Sequence, residues 1–127
     1  MPTFKSNAGV TQSEKLSMLQ NGLYSISFKS DVGNAEGSGV VVLLNGVLLG
    51  GDDALLYSGS YQQKANRFTA TVITSRHTRG RSSLFGLDDA TISFAGGIIG
   101  GNGSGFGMSA DFPNVRLEVR LTFRRSL

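Results

Sequence analysis

His77 is the first side chain in this sequence that could carry acid–base chemistry, because it is the single histidine. It stands in a basic stretch beside Arg76 and Arg79. A catalytic histidine needs an acidic residue to orient its ring and a nucleophile to activate. The neighbouring sequence supplies no acid, so we interpret His77 as a surface residue. We predict no catalytic residues and no enzymatic activity, and a hydrolase with His77 as its base is the least favoured of three hypotheses.

Two acid pairs, Asp52-Asp53 and Asp88-Asp89, are the next candidates. Adjacent residues in a strand point to opposite faces, so neither pair can converge on one ligand if its backbone is extended. In a turn the carboxylates could converge, but Asp in turns more often accepts hydrogen bonds from backbone N–H groups. The chain has no cysteine, which leaves carboxylates as the main metal ligands. We therefore expect turn-capping roles, with no metal site and no cofactor.

The stretch from Gly100 to Gly107 is rich in glycine, as phosphate-binding loops are. A Walker-type loop also needs a Lys followed by Ser or Thr, and a dinucleotide loop needs a helix after the glycines. Neither follows here, so the stretch is interpreted as a flexible loop or a kinked edge strand. Nucleic-acid binding is not expected either, since Phe68 and Phe94 occupy apolar positions of strand patterns rather than exposed stacking positions.

The charge is unevenly distributed along the chain. Residues 1–63 carry three Lys and five acids, a net charge of −2. Residues 64–127 carry nine Lys and Arg with four acids, a net charge of +5. Such a basic half could bind an acidic partner, but a solvated face is the commoner reason for this pattern.

A period of two from Tyr24 onward indicates the elements that must position any site. Tyr24, Ile26 and Phe28 alternate with polar residues, which is typical of a strand with one dry face. Asn45-Gly46 lies between two apolar runs and predicts a tight hairpin. The final run, from Val115 to Phe123, alternates apolar residues with mostly charged ones. In all, the pattern predicts about eight short strands and no long helix.

Strands in that number leave exposed edges unless the sheet closes on itself. We therefore predict an all-β fold, a small antiparallel up-and-down or meander β-barrel over residues 21–127, with a β-sandwich as the alternative. The 18 glycines agree with the coiling that a small barrel needs. Residues 1–20 form an arm, in which Thr11 and Glu14 have capping-box spacing and predict a short helical turn.

The longest apolar run, Val40 to Leu44, is far shorter than the roughly 20 residues that a membrane helix needs. No apolar stretch follows the N-terminal Lys, so no secretory signal is expected. With no cysteine to form disulfides, these observations predict a cytoplasmic protein that does not enter a membrane.

Five short elements between Gly22 and Tyr61 occur in a recognisable order and spacing. They are Asn21-Gly22-Leu23-Tyr24-Ser25-Ile26-Ser27-Phe28, then Glu36-Gly37, Asn45-Gly46, Gly50-Gly51-Asp52, and Tyr57 with Gly59. Over this third of the chain the sequence resembles the GrlR family, small negative regulators of type III secretion.

The resemblance implies a lipocalin-like barrel that forms a homodimer and represses a transcription activator by binding it. Family members present four acidic residues on the turn after the Tyr-x-Gly element. The matching positions here are Gln63, Lys64, Ala65 and Asn66, which the resemblance marks as a partner-binding turn without its acids.

Two leading hypotheses remain open at this point. The first is a regulatory protein that acts through protein–protein interaction, and the second is a barrel that binds a small apolar ligand. Both require an apolar interior, and the ligand would contact the inward-facing residues Tyr24, Ile26, Phe28, Leu117, Val119 and Leu121.

Overall fold

Alternating apolar residues and tight turns build one sheet of eight antiparallel strands. The computed structural model describes residues 17–32, 36–79 and 88–127. The strands are β1 (Gly22–Ser30), β2 (Glu36–Leu44), β3 (Val47–Gly51), β4 (Leu55–Lys64), β5 (Arg67–Arg76), β6 (Thr91–Ile99), β7 (Asn102–Ser109) and β8 (Phe112–Ser126). Each strand pairs with the next, and β8 pairs with β1 to close a barrel. The predicted up-and-down barrel is confirmed, and the β-sandwich alternative is wrong.

Three of the hairpins have two-residue turns in which both residues have positive φ. The values are 49° and 87° at Asn45 and Gly46, 53° and 60° at Ala65 and Asn66, and 61° and 79° at Gly100 and Gly101. This conformation matches the right-handed twist of paired strands. The three turns lie at one end of the barrel, here called the upper end. The opposite, lower end carries the β3–β4 turn around Asp52 and the β7–β8 turn around Asp111.

Alternation along each strand separates the core from the outer surface. In β5, Phe68, Ala70 and Val72 are buried, whereas the residues between them are exposed. In β8, Leu117, Val119 and Leu121 are buried in the same way. The predicted faces of both strands are confirmed, and the inward side chains form one continuous apolar core.

Glycine at inward positions lets neighbouring strands bend sharply against each other. A Cβ atom on Gly59 of β4 would lie 1.9 Å from the carbonyl oxygen of Thr71 in β5, and one on Gly105 of β7 would lie 2.2 Å from that of Ala95 in β6. The prediction of a loop or kinked edge strand near Gly105 is wrong. Strand β7 is paired on both sides, and β6 continues through Gly96-Gly97 to Ile99.

The N-terminal arm is described only from residue 17. The helical turn predicted from Thr11 lies almost wholly outside the described residues, and the part that is described, from Ser17 to Asn21, consists of a turn and bends. No described residue belongs to a helix long and apolar enough to cross a membrane.

Replacement of Gly59 tests the close approach of β4 to β5. Gly59→Ala is expected to lower the free energy of unfolding by about 2 kcal/mol or more, because the added Cβ forces two backbones apart. Ser58→Ala, on the exposed outer face, is the matched control and should change stability by less than about 0.5 kcal/mol. Urea unfolding measures both, and equal stability of the two variants would contradict this account of the glycine.

Candidate functional site

A narrow cavity runs along the barrel axis between the two ends. Its volume is about 60 Å³, several times the roughly 10–15 Å³ that one water needs. The walls are almost entirely apolar, with Val72, Ile92 and Val119 among the side chains that contact it. The lining extends from Leu19 at the upper end to Asp52 at the lower end. The inward side chains therefore line the barrel but leave its axis unfilled.

Residues 17–21, here called the plug, close the upper end. Leu19 is buried and lines the cavity. Its N–H donates to Oε1 of Gln63 at 2.7 Å, and its carbonyl accepts from Nε2 of Gln63 at 3.0 Å. Asn21 adds a pair of 2.9 Å hydrogen bonds with Asn45. The Gln63 amide thus satisfies both backbone groups of the buried Leu19, and the Asn21 side chain ties the plug to the β2–β3 turn.

At the lower end, Asp52 brings a carboxylate to the cavity wall. Its Oδ1 accepts from the N–H groups of Ala54 at 2.9 Å and Leu55 at 2.7 Å. This confirms the predicted turn-capping role of Asp52. The other oxygen, Oδ2, accepts a short hydrogen bond from the hydroxyl of Tyr57. One carboxylate therefore holds the β3–β4 turn and also contributes the polar end of the cavity.

Tyr57 is the partner that orients Asp52 toward the interior. Its side chain is buried in the cavity wall, with its ring edge-to-face against Phe28 at 5.9 Å between centroids. Burial raises the pKa of Tyr57 well above its ordinary value, and the hydrogen bond to Asp52 and the nearby carboxylate charge raise it further. The phenol thus stays a neutral donor across the whole physiological pH range.

His77 fastens two loops together at the lower end. Its Nε2 lies 2.8 Å from the carbonyl oxygen of Asp52, which can only accept, so Nε2 carries the proton. Its Nδ1 lies 2.6 Å from Oγ1 of Thr78, and its backbone N–H donates to the carbonyl of Ala54. The side chain is exposed and both ring nitrogens are engaged in these contacts.

The second acid pair includes an ion pair that was not predicted, and turn capping by Asp88 and Asp89 stays a prediction. Asp88 forms a two-bond ion pair with Arg76, at 2.6 Å to Nε and 3.0 Å to the terminal NH2 nitrogen. A guanidinium matches a carboxylate in this geometry better than single backbone N–H groups do. Asp89 has a φ of 54°, a turn conformation that Asp tolerates.

All six predicted interior residues point into the barrel. Five of them line the cavity, namely Ile26, Phe28, Leu117, Val119 and Leu121. Tyr24 is fully buried but does not reach the cavity, because its hydroxyl donates to the carbonyl of Gln20 at 2.7 Å and its ring packs against Phe123. Burial raises the pKa of Tyr24 to about 12. A ligand-binding role for these residues stays a prediction.

The four residues predicted to bind a partner lie at the β4–β5 turn but do not act together. Gln63 is half-buried and its amide holds the plug. Lys64, Ala65 and Asn66 are exposed around the turn. The carbonyl of Asn66 accepts from Ile98, which ties this turn to β6. Partner binding by this turn remains a prediction, and only three of its four side chains project into solvent.

A second feature is an apolar area on the outside of β2–β5, here called the outer face. Its members are each between 45% and 55% exposed: Val40, Leu44, Val47, Leu49, Leu56 and Ile73. Strand register places Leu44 beside Val47, while Ser58 lies between Leu49 and Ile73. The face is therefore contiguous across four strands, where exposed apolar residues usually occur singly.

A row of basic residues lies on the other side of the barrel. On β8, Arg116, Arg120 and Arg124 are exposed, and Lys29 projects from the adjacent β1. The guanidinium of Arg116 stacks 3.8 Å from the ring centroid of Phe106, and Nε of Arg124 donates to Ser25 at 2.8 Å. The outer surface thus has one side with a row of positive charges along β8 and another with the apolar outer face.

Sequence reasoning missed the joint role of Asp52 and Tyr57. One sequence feature could have indicated this role. Tyr57 is at an inward position of a strand that starts directly after a turn containing Asp52. Within residues 17–32, 36–79 and 88–127, no group of three or more His, Asp or Glu side chains could hold a metal ion. No protein-family model matches the chain, and a comparison with curated proteins finds no match.

Alkaline pH tests the buried tyrosines. The raised pKa values mean that the unfolded chain loses the Tyr24 and Tyr57 protons first, so stability is intact below about pH 10 and falls above it. Each tyrosine contributes a slope of up to about 1.4 kcal/mol per pH unit. Tyr57→Phe should remove one of the two slopes, as measured by urea unfolding between about pH 9 and 11. An unchanged slope would show that Tyr57 has the same pKa in the folded and the unfolded protein.

Proposed function

We propose that this protein is a non-enzymatic binding protein that holds a slender apolar molecule inside its barrel. The observation that carries the proposal is the cavity of about 60 Å³, which is lined mainly by apolar side chains. Binding sites for small molecules are typically apolar hollows with a few placed polar groups. The Asp52–Tyr57 pair supplies those groups at the lower end.

The contacts at the two ends favour a bound molecule over a solvent channel. The plug covers the upper end through Leu19 and Gln63. At the lower end, a hydrogen bond from His77 joins the β3–β4 turn to the end of β5. Apolar walls of this kind offer water few hydrogen bonds. An apolar guest would instead gain van der Waals contacts with side chains that now face empty space. We place this activity in the cytoplasm, because a domain without cysteine needs no oxidising compartment.

Filling the cavity is the direct test. Ala70 lines the cavity between Tyr61 and Phe94, and Ala70→Leu adds three carbons inside it. Binding of the fluorescent apolar probe N-phenylnaphthylamine is expected to weaken at least about tenfold, the equivalent of about 1.4 kcal/mol. Thr71→Leu places the same side chain on the exposed surface of β5, outside the barrel, and should leave binding unchanged.

Circular dichroism and thermal unfolding show whether both variants keep the fold. If Ala70→Leu does not fold, Val72→Leu adds a single carbon to the same wall and replaces it. Saturable probe binding that is equal in the wild type and the filled variant would refute an interior site.

The outer face favours a second function, self-association into a homodimer that presents a regulatory surface. A twofold interface joins the same patch on both copies, so it must be complementary to itself. The six apolar residues of the outer face meet this condition because they carry no charge, whereas the positive side around Arg120 repels a copy of itself. The resemblance to GrlR-type regulators agrees with such a dimer, and binding of a transcription activator is part of the same proposal.

A charge at the centre of the outer face tests the dimer. Sedimentation should show a dimer for the wild type at micromolar concentration and a monomer for Leu49→Lys, because a buried unpaired ammonium opposes association. Ser104→Lys, on the exposed surface of β7, is the control and should remain dimeric. A wild type that is monomeric at every concentration would refute this second function.

A further inference from the structure

The cavity has a charged group at only one of its ends, and that group is negative. Among the described residues that line it, Asp52 alone carries a charge. The other polar side chains in the lining are Tyr57, Tyr61 and Thr74, all neutral. The upper end is lined instead by the apolar side chain of Leu19. A molecule lying along the axis therefore meets a carboxylate at the lower end and uncharged, mostly apolar side chains elsewhere.

The hydrogen bonds of Asp52 leave room for one more donor. Each carboxylate oxygen has two lone pairs. Oδ1 uses both on the N–H groups of Ala54 and Leu55. Oδ2 accepts from the hydroxyl of Tyr57, so its second lone pair can accept from a ligand. The hydroxyl oxygen of Tyr57 keeps acceptor capacity as well, which makes the pair a receptor for a hydrogen-bond donor.

Resting on the proposed apolar binding function, we propose that the guest is an aliphatic amine whose ammonium group binds Asp52 and Tyr57 at the lower end. The alkyl chain then lies along the axis toward Leu19.

The aromatic rings at the lower end strengthen this preference. Phe28 and Tyr57 both line the cavity, with ring centroids 5.9 Å apart. Aromatic faces attract cations, and a charge-assisted hydrogen bond is about twice as strong as a neutral one. The high pKa of Tyr57 agrees with a site whose negative charge belongs to Asp52 alone.

A carboxylate head group is disfavoured for the same reasons. No Lys, Arg or His is among the described residues in the cavity lining, so none of these residues neutralises a second negative charge. Two carboxylates in a partly buried site repel each other strongly. A fatty acid is therefore the wrong guest for this barrel, although its chain would fit the walls as well as that of an amine.

Three guests with one chain and different heads test the proposal. Octylamine, octanol and octanoate are titrated against the N-phenylnaphthylamine complex at neutral pH, and displacement gives their affinities. Octylamine is expected to bind about tenfold more tightly than octanol, with octanoate weakest. This ranking uses the unaltered protein and does not depend on any variant folding.

Asp52→Asn locates the preference. Asn keeps an oxygen to accept from Ala54 and Leu55 but removes the charge, so octylamine should lose its tenfold advantage while octanol changes by less than about threefold. Glu118→Gln removes one negative charge from the outer surface of β8 and should keep the wild-type ranking.

The outcomes separate the two proposals. Displacement by octanol with octanoate equal to or tighter than octylamine overturns the amine inference and leaves the apolar barrel standing. An amine preference that survives in a folded Asp52→Asn variant also overturns it. If the probe does not bind and no guest has a measurable affinity, the proposed function fails together with the inference.

Discussion

Pairing of β1 with β8 closes the sheet, and the interior exists only because of this closure. Strand β1 lies beside β8 from Gly22 to Ser30, in a ladder that joins residues 87 to 104 positions apart in the chain. Closing eight strands into a narrow barrel bends each one sharply against its neighbour. At the tightest positions, such as Gly59 against Thr71 and Gly105 against Ala95, the space between backbones admits no Cβ atom.

The same constraint explains the space inside. Inward glycines allow the backbones to approach but contribute no side-chain volume, so the remaining Leu, Val, Phe and Tyr residues line the axis without filling it. The two ends differ in their chemistry. A leucine held by one glutamine amide closes the upper end, and a carboxylate held by a tyrosine hydroxyl marks the lower one. This asymmetry is what gives the cavity a direction and a chemical preference.

Much of the fold follows from patterns within single strands. The alternation in β1, β5 and β8 and the Asn45-Gly46 turn predicted both the strands and their buried faces, because each signal lies within about ten residues. Strand β7 could not be recognised in this way. Its inward positions include Gly103, Gly105 and Gly107, so no apolar alternation marks its buried face.

The candidate site was also predicted only in part, because some of its contacts join residues that are distant in the chain. The apolar wall follows from strand alternation, as Ile26 and Val119 show. The Asp52–Tyr57 contact depends on how the β3–β4 turn folds back over the barrel, and the Leu19–Gln63 contact joins residues 44 positions apart. Asp52 was correctly predicted to cap a turn, and its Oδ1 alone does so. Its Oδ2 accepts from the Tyr57 hydroxyl at the cavity wall, a contact that the local sequence pattern does not indicate.

The most direct measurement is the position of a bound guest. In an NMR spectrum of the protein with labelled methyl groups and saturating octanol, we expect intermolecular NOEs to Val72, Leu117 and Val119, which line the cavity. NOEs confined to Leu49, Leu56 and Ile73 on the outer face, with none to the interior methyls, would contradict it.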